Sequence, residues 1–189
     1  GIGIYNDTSG NTIINSVGSL VEVGSNSIGM YDINGTVNND GTIKAGDSGT
    51  GIYSKGGILN LNSGLLEIGG NNGAGVYAED LTGPLVNNMS VNIGAATSGG
   101  VTTGSYGFIL SGATTPVFVN NGSGIMSDGG VFLYSDIGGT ATNNAPLTMT
   151  GSNNIAYYIT NGGTITNNNV ITGTVGTANI GIYNKAVYD

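Results

Sequence analysis

"SIGMYDINGTVNNDGTIKAGDSG", residues 27–49, sets short apolar runs between asparagine, aspartate and glycine. Within it Ile28, Met30, Val37 and Ile43 alternate with small or polar residues, and Tyr31 follows the first run. Alternation over so few residues indicates strands with one buried face, and Gly and Asn-Gly mark the turns between them. The stretch is therefore expected to form three short strands and no helix.

The same order of elements recurs along the whole chain. A small–apolar–Tyr motif ends at residues 5, 31, 53, 77, 109, 134, 158 and 183, with isoleucine in place of tyrosine at 109. An Asn-rich turn recurs seven times between these copies, and an apolar-x-apolar segment before glycine recurs five times, at 20–24, 42–46, 65–69, 90–94 and 147–151. Such a period is typical of solenoids. We predict an all-β fold, a right-handed parallel β-helix (β-solenoid) of about 7–8 coils, with ~24 residues and about three short strands per coil.

Stacking explains why such a stretch is repeated. One coil buries too few apolar side chains to offset the entropy of ordering its backbone, so it needs neighbours. Stacked about 4.8 Å apart, coils pair their backbone groups and pile like side chains into columns. A leucine-rich repeat would need a Leu-x-x-Leu-x-Leu pattern, which the chain lacks. Asn-Gly at 34–35, 72–73, 121–122 and 161–162 supplies turn residues that tolerate positive φ.

Strand parity predicts which columns face the core. An aliphatic face is expected inward, which places the tyrosine column outside or at a corner. The inward pairs are Ile28/Met30, Ala74/Val76, Tyr106/Phe108, Val131/Leu133, Ile155/Tyr157 and Ile180/Ile182. The outward column is Tyr5, Tyr31, Tyr53, Tyr77, Tyr134, Tyr158 and Tyr183.

Composition excludes several classes of function. Eleven acidic residues and three lysines, without arginine, give a net charge of −8, which disfavours binding to nucleic acid or to anionic membranes. With no cysteine, disulfides and thiolate metal sites are excluded. A hydrophobic content of 38% predicts a folded chain rather than a disordered one. The absence of a long apolar run predicts no direct membrane insertion by this segment.

The sequence predicts neither catalysis nor a bound cofactor or metal. No histidine is present to act as a base near neutral pH, and the acids are scattered. Strand alternation would send the only adjacent acids, Glu79 and Asp80, to opposite sides. The recurring Asn pairs are interpreted as an internal amide ladder that joins coil to coil.

Insertions in the repeat mark a candidate binding surface. The tyrosine spacing widens to 32 residues around an inserted loop at 95–106, and a smaller insertion lies at 78–84. Insertions in solenoids become loops on one face, which is often the recognising face. The alternatives are a tolerated bulge and a tyrosine column that only shields the sheet. The candidate residues are Tyr31, Tyr53, Tyr77, Glu79, Asp80, Thr102, Thr103 and Tyr106.

The repeats resemble the passenger domains of large Gram-negative autotransporter adhesins, which are exported by type V secretion. The resemblance rests on "GIGIYNDTSGNTIINSVGSLVEVGS", "GMYDINGTVNNDGTIKAGDSGTGIYSKGG" and "GGTITNNNVITGT". It covers essentially the whole chain and is clearest at 1–77 and 155–184. Since the chain begins within a repeat, residues 1–189 are expected to be a single solenoid segment of a longer passenger.

The resemblance implies an adhesin displayed at the cell surface and tethered to the outer membrane through a C-terminal barrel outside this sequence. The expected partner is a protein or glycan on host cells or other bacteria. The resemblance implies no catalytic residues. Two alternatives are a purely structural spacer with the adhesive head elsewhere, and a polysaccharide-active β-helix enzyme. Unpaired strand edges at the end coils also predict possible end-to-end self-association.

Overall fold

The computed structural model describes residues 1–94 and 104–185, which form an all-β solenoid without helices. Three parallel sheets run along its axis, and each coil gives one strand to each sheet. The described residues thus make about seven turns, with three strands per turn and ~24 residues between equivalent positions. Within these ranges no helix is long and apolar enough to cross a membrane.

Sheet A contains eight strands. They are β1 (Ile2–Asn6), β4 (Ile28–Ile33), β7 (Thr50–Lys55), β10 (Ala74–Glu79), β13 (Tyr106–Ser111), β16 (Val131–Ser135), β19 (Ile155–Ile159) and β22 (Ile180–Asn184). The predicted register is confirmed, because Tyr31 pairs with Tyr5 on one side and with Tyr53 on the other. Residues one coil apart are therefore neighbours in space, as the sequence period predicted.

Sheets B and C contain seven strands each. Sheet B comprises β2 (Thr12–Asn15), β5 (Thr36–Asn39), β8 (Ile58–Leu61), β11 (Leu85–Asn87), β14 (Val117–Asn120), β17 (Gly139–Asn143) and β20 (Gly163–Asn167). Sheet C comprises β3 (Leu20–Val23), β6 (Thr42–Ala45), β9 (Leu65–Ile68), β12 (Ser90–Ile93), β15 (Gly124–Met126), β18 (Leu147–Met149) and β21 (Ile171–Gly173). The backbone of each inner coil is thereby hydrogen-bonded to the coils before and after it.

The turns use the residues that the sequence predicted at three of the four Asn-Gly pairs. Asn34, Asn72 and Asn161 adopt positive φ values of 58°, 54° and 64°. Asparagine tolerates this region because its short polar side chain can hydrogen-bond locally. In the second and third coils only residues 34–35 and 56–57 separate sheet A from sheet B, so these turns are tight.

The core lies between the three sheets and is filled by the inward-facing side chains of all three, with two or more buried positions in most strands of the inner coils. In sheet A the predicted inward column is confirmed at Met30, Val76, Phe108, Leu133 and Tyr157, all of which are fully buried. The column that begins at Ile28 faces the core only in part: Ala74 and Val131 are buried, whereas Ile28, Tyr106 and Ile155 are only partly buried. In the last coil Ile180 of this column and Ile182 of the inward column are both exposed.

The reason is a bend in the strand, where two successive residues face the core. A Cβ built on Gly29 would lie 2.9 Å from the Val21 side chain of sheet C, so Gly29 points inward like Met30. At Gly51 the corresponding contact is with Ile43, and at Gly75 it is with Leu66. The prediction assumed that side chains alternate strictly between the two faces of the strand, and this alternation is broken at the bend.

One coil reverses that arrangement of small and large residues. Phe132 occupies the glycine position of β16 and is fully buried. The sheet C residue that faces it is Gly124, where a Cβ would lie 2.7 Å from the phenyl ring. Phe132 also packs at centroid distances of 5.4 Å from Phe108 and 6.0 Å from Tyr157. The Phe132 ring of sheet A thus fills the space that a sheet C side chain fills in other coils.

Candidate functional site

A column of stacked tyrosines follows the outer side of sheet A, as predicted. Tyr5, Tyr31, Tyr53 and Tyr77 lie ring against ring, with centroids 5.2, 5.0 and 5.5 Å apart. Ile109 interrupts the column, which resumes at Tyr134, Tyr158 and Tyr183. Because most ring faces are covered by the next ring, the column presents edges and hydroxyls to a ligand. This geometry favours the shielding interpretation over stacking on sugar rings.

The other predicted aromatic, Tyr106, lies outside this column. It pairs in register with Ala74 and Val131, and its ring meets Tyr134 edge-on at 5.8 Å. The inserted loop at 95–106 is described only from Gly104 onward. Thr102 and Thr103 fall outside the described residues, so their place in a binding surface stays a prediction.

Glu79 binds back to the preceding coil. Its carboxylate accepts hydrogen bonds from Lys55 Nζ at 2.6 Å and from the Tyr53 hydroxyl at 2.8 Å. The Lys55 and Tyr53 bonds hold the pKa of Glu79 below its usual value. Burial, followed by the bond to Glu79, raises the pKa of Tyr53. The negative charge of Glu79 is therefore already engaged within the protein.

Asp80 binds forward to the following coil. It follows β10 with a positive φ of 50°, and its Oδ1 accepts hydrogen bonds from the backbone amides of Thr114 at 2.8 Å and Ala113 at 2.6 Å. These two bonds lower the pKa of the Asp80 carboxyl. The adjacent acids thus diverge along the axis of the solenoid, and Asp80 ties together two neighbouring loops.

These bonds predict that the solenoid loses stability in acid. A carboxyl whose pKa is lowered by folding stabilises the protein above its unfolded pKa of about 4, and this contribution disappears as the pH falls through the lower folded-state pKa. The melting temperature should fall as the pH is lowered from about 5 toward 2, and should fall less steeply in Asp80→Asn. Circular dichroism melts across this range measure the slopes. Glu22→Gln, in an exposed position of β3, is the charge-matched control, and equal slopes in wild type and Asp80→Asn would contradict the assignment.

The predicted amide ladder is present on both sides of sheet B. Inside, Asn87 Nδ2 donates to Asn120, Asn120 to Asn143, and Asn143 to Asn167, over 2.8 to 2.9 Å. Outside, the bonds run the other way along the chain. There Asn121 donates to Asn88, Asn144 to Asn121, and Asn168 to Asn144, over 2.9 to 3.0 Å. The Asn pairs therefore serve coil stacking, as the sequence interpretation held.

A cleft between two loops is a feature that the sequence reasoning missed. Residues 80–84 and 112–116 connect sheet A to sheet B in successive coils, and are longer than the tight turns before them. They enclose about 210 Å³. The signal was present in the sequence, because "LTGPL" and "ATTPV" place Pro84 and Pro116 at the same point of successive coils.

No comparison with known proteins supplies an activity for these features. Models of protein families, curated proteins and solved structures were compared with the chain, and none matched. Among the described residues, no group of three or more His, Cys, Asp or Glu side chains is placed to hold a metal ion.

Proposed function

We propose that the chain is a non-enzymatic adhesin segment, a β-solenoid stalk or binding surface from an autotransporter passenger. The observation that supports this most directly is the stacking of the repeat itself. Tyr31 lies against Tyr53 and Asn15 is hydrogen-bonded to Asn39, so residues in the stretches that carry the resemblance are among those that join the coils. The same repeat can be extended by further coils without new chemistry, which suits a rod that projects from a cell.

The dimensions and surface of the rod suit display outside a cell. Eight strands of sheet A, about 4.8 Å apart, give a rod of roughly 35 Å. Its net charge of −8 opposes side-by-side association of copies through like-charge repulsion. The proposed partner is a protein or glycan on a host cell or on another bacterium, and the proposed location is the cell surface.

Attachment of coated particles tests the proposal. Latex beads that carry the purified chain should adhere to epithelial cells or to a panel of bacteria more than beads coated with a protein of similar charge. Soluble chain should compete for the same sites. Deletion within the inserted loop 95–106 that spares Tyr106 of β13 and the buried Ser105 should reduce attachment if the loop is part of the binding surface, whereas unchanged attachment would assign binding to another face.

The outcomes separate the adhesin from its two rivals. Absence of attachment in every pairing, with the chain folded by circular dichroism, would favour a structural spacer. Release of reducing sugars or unsaturated products from a polysaccharide panel would instead favour an enzyme. A triple Tyr→Phe variant at 31, 53 and 77 then asks whether the tyrosine hydroxyls contribute, because it preserves the stacked rings.

A further inference from the structure

The cleft between loops 80–84 and 112–116, here called the proline cleft, is a concave site with mainly apolar walls. It lies at the corner between sheets A and B, where successive coils both carry long connections. Its lining residues are Ala78, Asp80, Leu81, Thr82, Gly83, Pro84, Leu85, Leu110, Ser111, Thr114, Thr115, Pro116 and Val117.

Both walls of the proline cleft are held in place without a ligand. Asp80 accepts hydrogen bonds from the amides of Ala113 and Thr114, so the first loop fixes the second. The first loop is anchored in turn by Thr82, whose backbone amide and hydroxyl both donate to the Gly57 carbonyl, at 3.0 and 3.1 Å. A proline in each wall further restricts the backbone. A site formed in advance binds with a smaller loss of conformational entropy.

The chemistry of the walls favours an apolar ligand. Leu81, Leu110 and the two prolines supply hydrocarbon surface, while most of the polar side chains are already engaged. Thr82 donates to Gly57, Ser111 donates to Asp136, and Asp80 accepts from the opposite loop. A sugar would need several free hydrogen-bonding groups or an aromatic face to stack on, and none of the lining residues is aromatic.

The volume fits one ring or one large aliphatic side chain. A cavity of about 150 Å³ with apolar walls accepts benzene, and most sites for drug-sized molecules exceed about 300 Å³. The proline cleft, at about 210 Å³, falls between these limits. The net charge of −8 would favour a ligand with positive charge next to the ring.

We propose that the proline cleft is an anchor site for a single aromatic side chain of a partner protein, presented beside Lys or Arg residues. Buried aromatic anchors of this kind supply much of the energy of protein interfaces. The biological partner rests on the proposed adhesive function, whereas occupation of the cleft by a ring depends only on the two loops. The two claims can therefore fail separately.

Titration with tryptophanamide, which carries a ring and a positive charge, tests the site directly. Because the chain has no tryptophan, indole fluorescence reports only the ligand. Saturable binding is expected, about threefold tighter than that of the anionic N-acetyltryptophan. Methyl β-galactoside should not compete. A lack of saturation, or displacement by the sugar, would overturn the proposal.

Two variants locate the binding. Thr115→Phe, at an exposed lining position, should fill the proline cleft and weaken tryptophanamide binding at least about tenfold. Thr164→Phe, exposed in β20 and two coils beyond the cleft, is the matched control and should bind as wild type does. Equal binding by wild type and Thr115→Phe would refute the location.

Amide chemical shifts of the wild-type protein give a readout that needs no variant. Shifts on ligand addition should cluster at Leu81, Thr82, Ala113 and Thr115, and a cluster elsewhere would contradict the proposal. If tryptophanamide binds at the cleft but coated beads attach to no cell, the anchor site stands and the adhesin fails. If beads attach equally with wild type and Thr115→Phe while no probe binds, the adhesin stands and the anchor site fails.

Discussion

Replacing Phe132 with alanine should lower the free energy of unfolding by about 3–5 kcal/mol. The ring is fully buried and touches three other aromatic rings, those of Phe108, Phe118 and Tyr157. Gly124 faces the ring and has no side chain to fill the cavity, so only Leu147, its neighbour in sheet C, can relax partly into the space. Urea unfolding followed by circular dichroism measures the loss. Val117→Ala, at a position 45% exposed, should cost less than about 0.5 kcal/mol.

Because Gly124 faces Phe132, a double variant can test whether a larger residue at 124 compensates for a smaller one at 132. Gly124→Val alone should destabilise by about 1–3 kcal/mol, because the new methyl groups would meet the Phe132 ring. Combined with Phe132→Gly, the same valine restores the arrangement of the second coil, where Gly29 faces Val21. The double variant should be more stable than the sum of the single effects by about 1–3 kcal/mol. Simple additivity would mean that the two residues do not share one space.

Replacing Asn120 with alanine should cost about 2–5 kcal/mol, whereas the same change at its neighbour Asn121 should cost less than about 1 kcal/mol. Asn120 is fully buried, accepts a hydrogen bond from Asn87 at 2.8 Å and donates one to Asn143 at 2.9 Å. Its removal leaves polar groups without partners in a dry interior. Asn121 makes similar bonds to Asn88 and Asn144, but it is exposed and water can replace them.

The comparison is well matched because the two residues are adjacent and chemically identical. Thermal and urea unfolding of both variants give the difference, and similar losses of stability at the two positions would contradict the role of burial.

The third coil has no asparagine at the interior ladder position. Leu61 takes the ladder position there, and Met89 supplies partners instead, with its sulfur 3.3 Å from Asn39 Nδ2 and its backbone bonded to Asn87.

The repeat in the sequence predicted the coil, the three sheets and the register, because each depends on a short pattern that recurs. Tyr31 on Tyr53 and Asn143 on Asn167 follow from spacing alone. The bend at Gly29 was not predicted, since parity assumes a straight strand and the cause is a neighbour in another sheet. The pairing of Gly124 with Phe132 was not predicted for the same reason, because the two residues belong to different sheets.

The candidate site was predicted in part, for a related reason. Sequence position identified Glu79 and Asp80 as unusual, and strand alternation predicted that they lie on opposite sides of the strand. They diverge along the solenoid axis instead, because Asp80 lies beyond the end of β10 with a positive φ. The repeat does place Lys55 in register with Glu79, since each lies two residues after the tyrosine of its coil, but this pair was not among the sequence predictions. The partner Ala113 was not predictable, because it lies beyond the inserted loop, where the repeat spacing changes. The proline cleft needs two loops of matching length in successive coils, which only Pro84 and Pro116 indicated.

The opposed directions of the two asparagine ladders affect the electrostatics of the whole rod. Amide dipoles aligned head to tail add together, and each one polarises the next. The interior ladder orients its dipoles one way from Asn87 to Asn167, and the exterior ladder orients them the other way from Asn168 to Asn88. The two alignments offset each other, so a longer rod gains cooperative bonding in each ladder without building up an axial macrodipole from its asparagines.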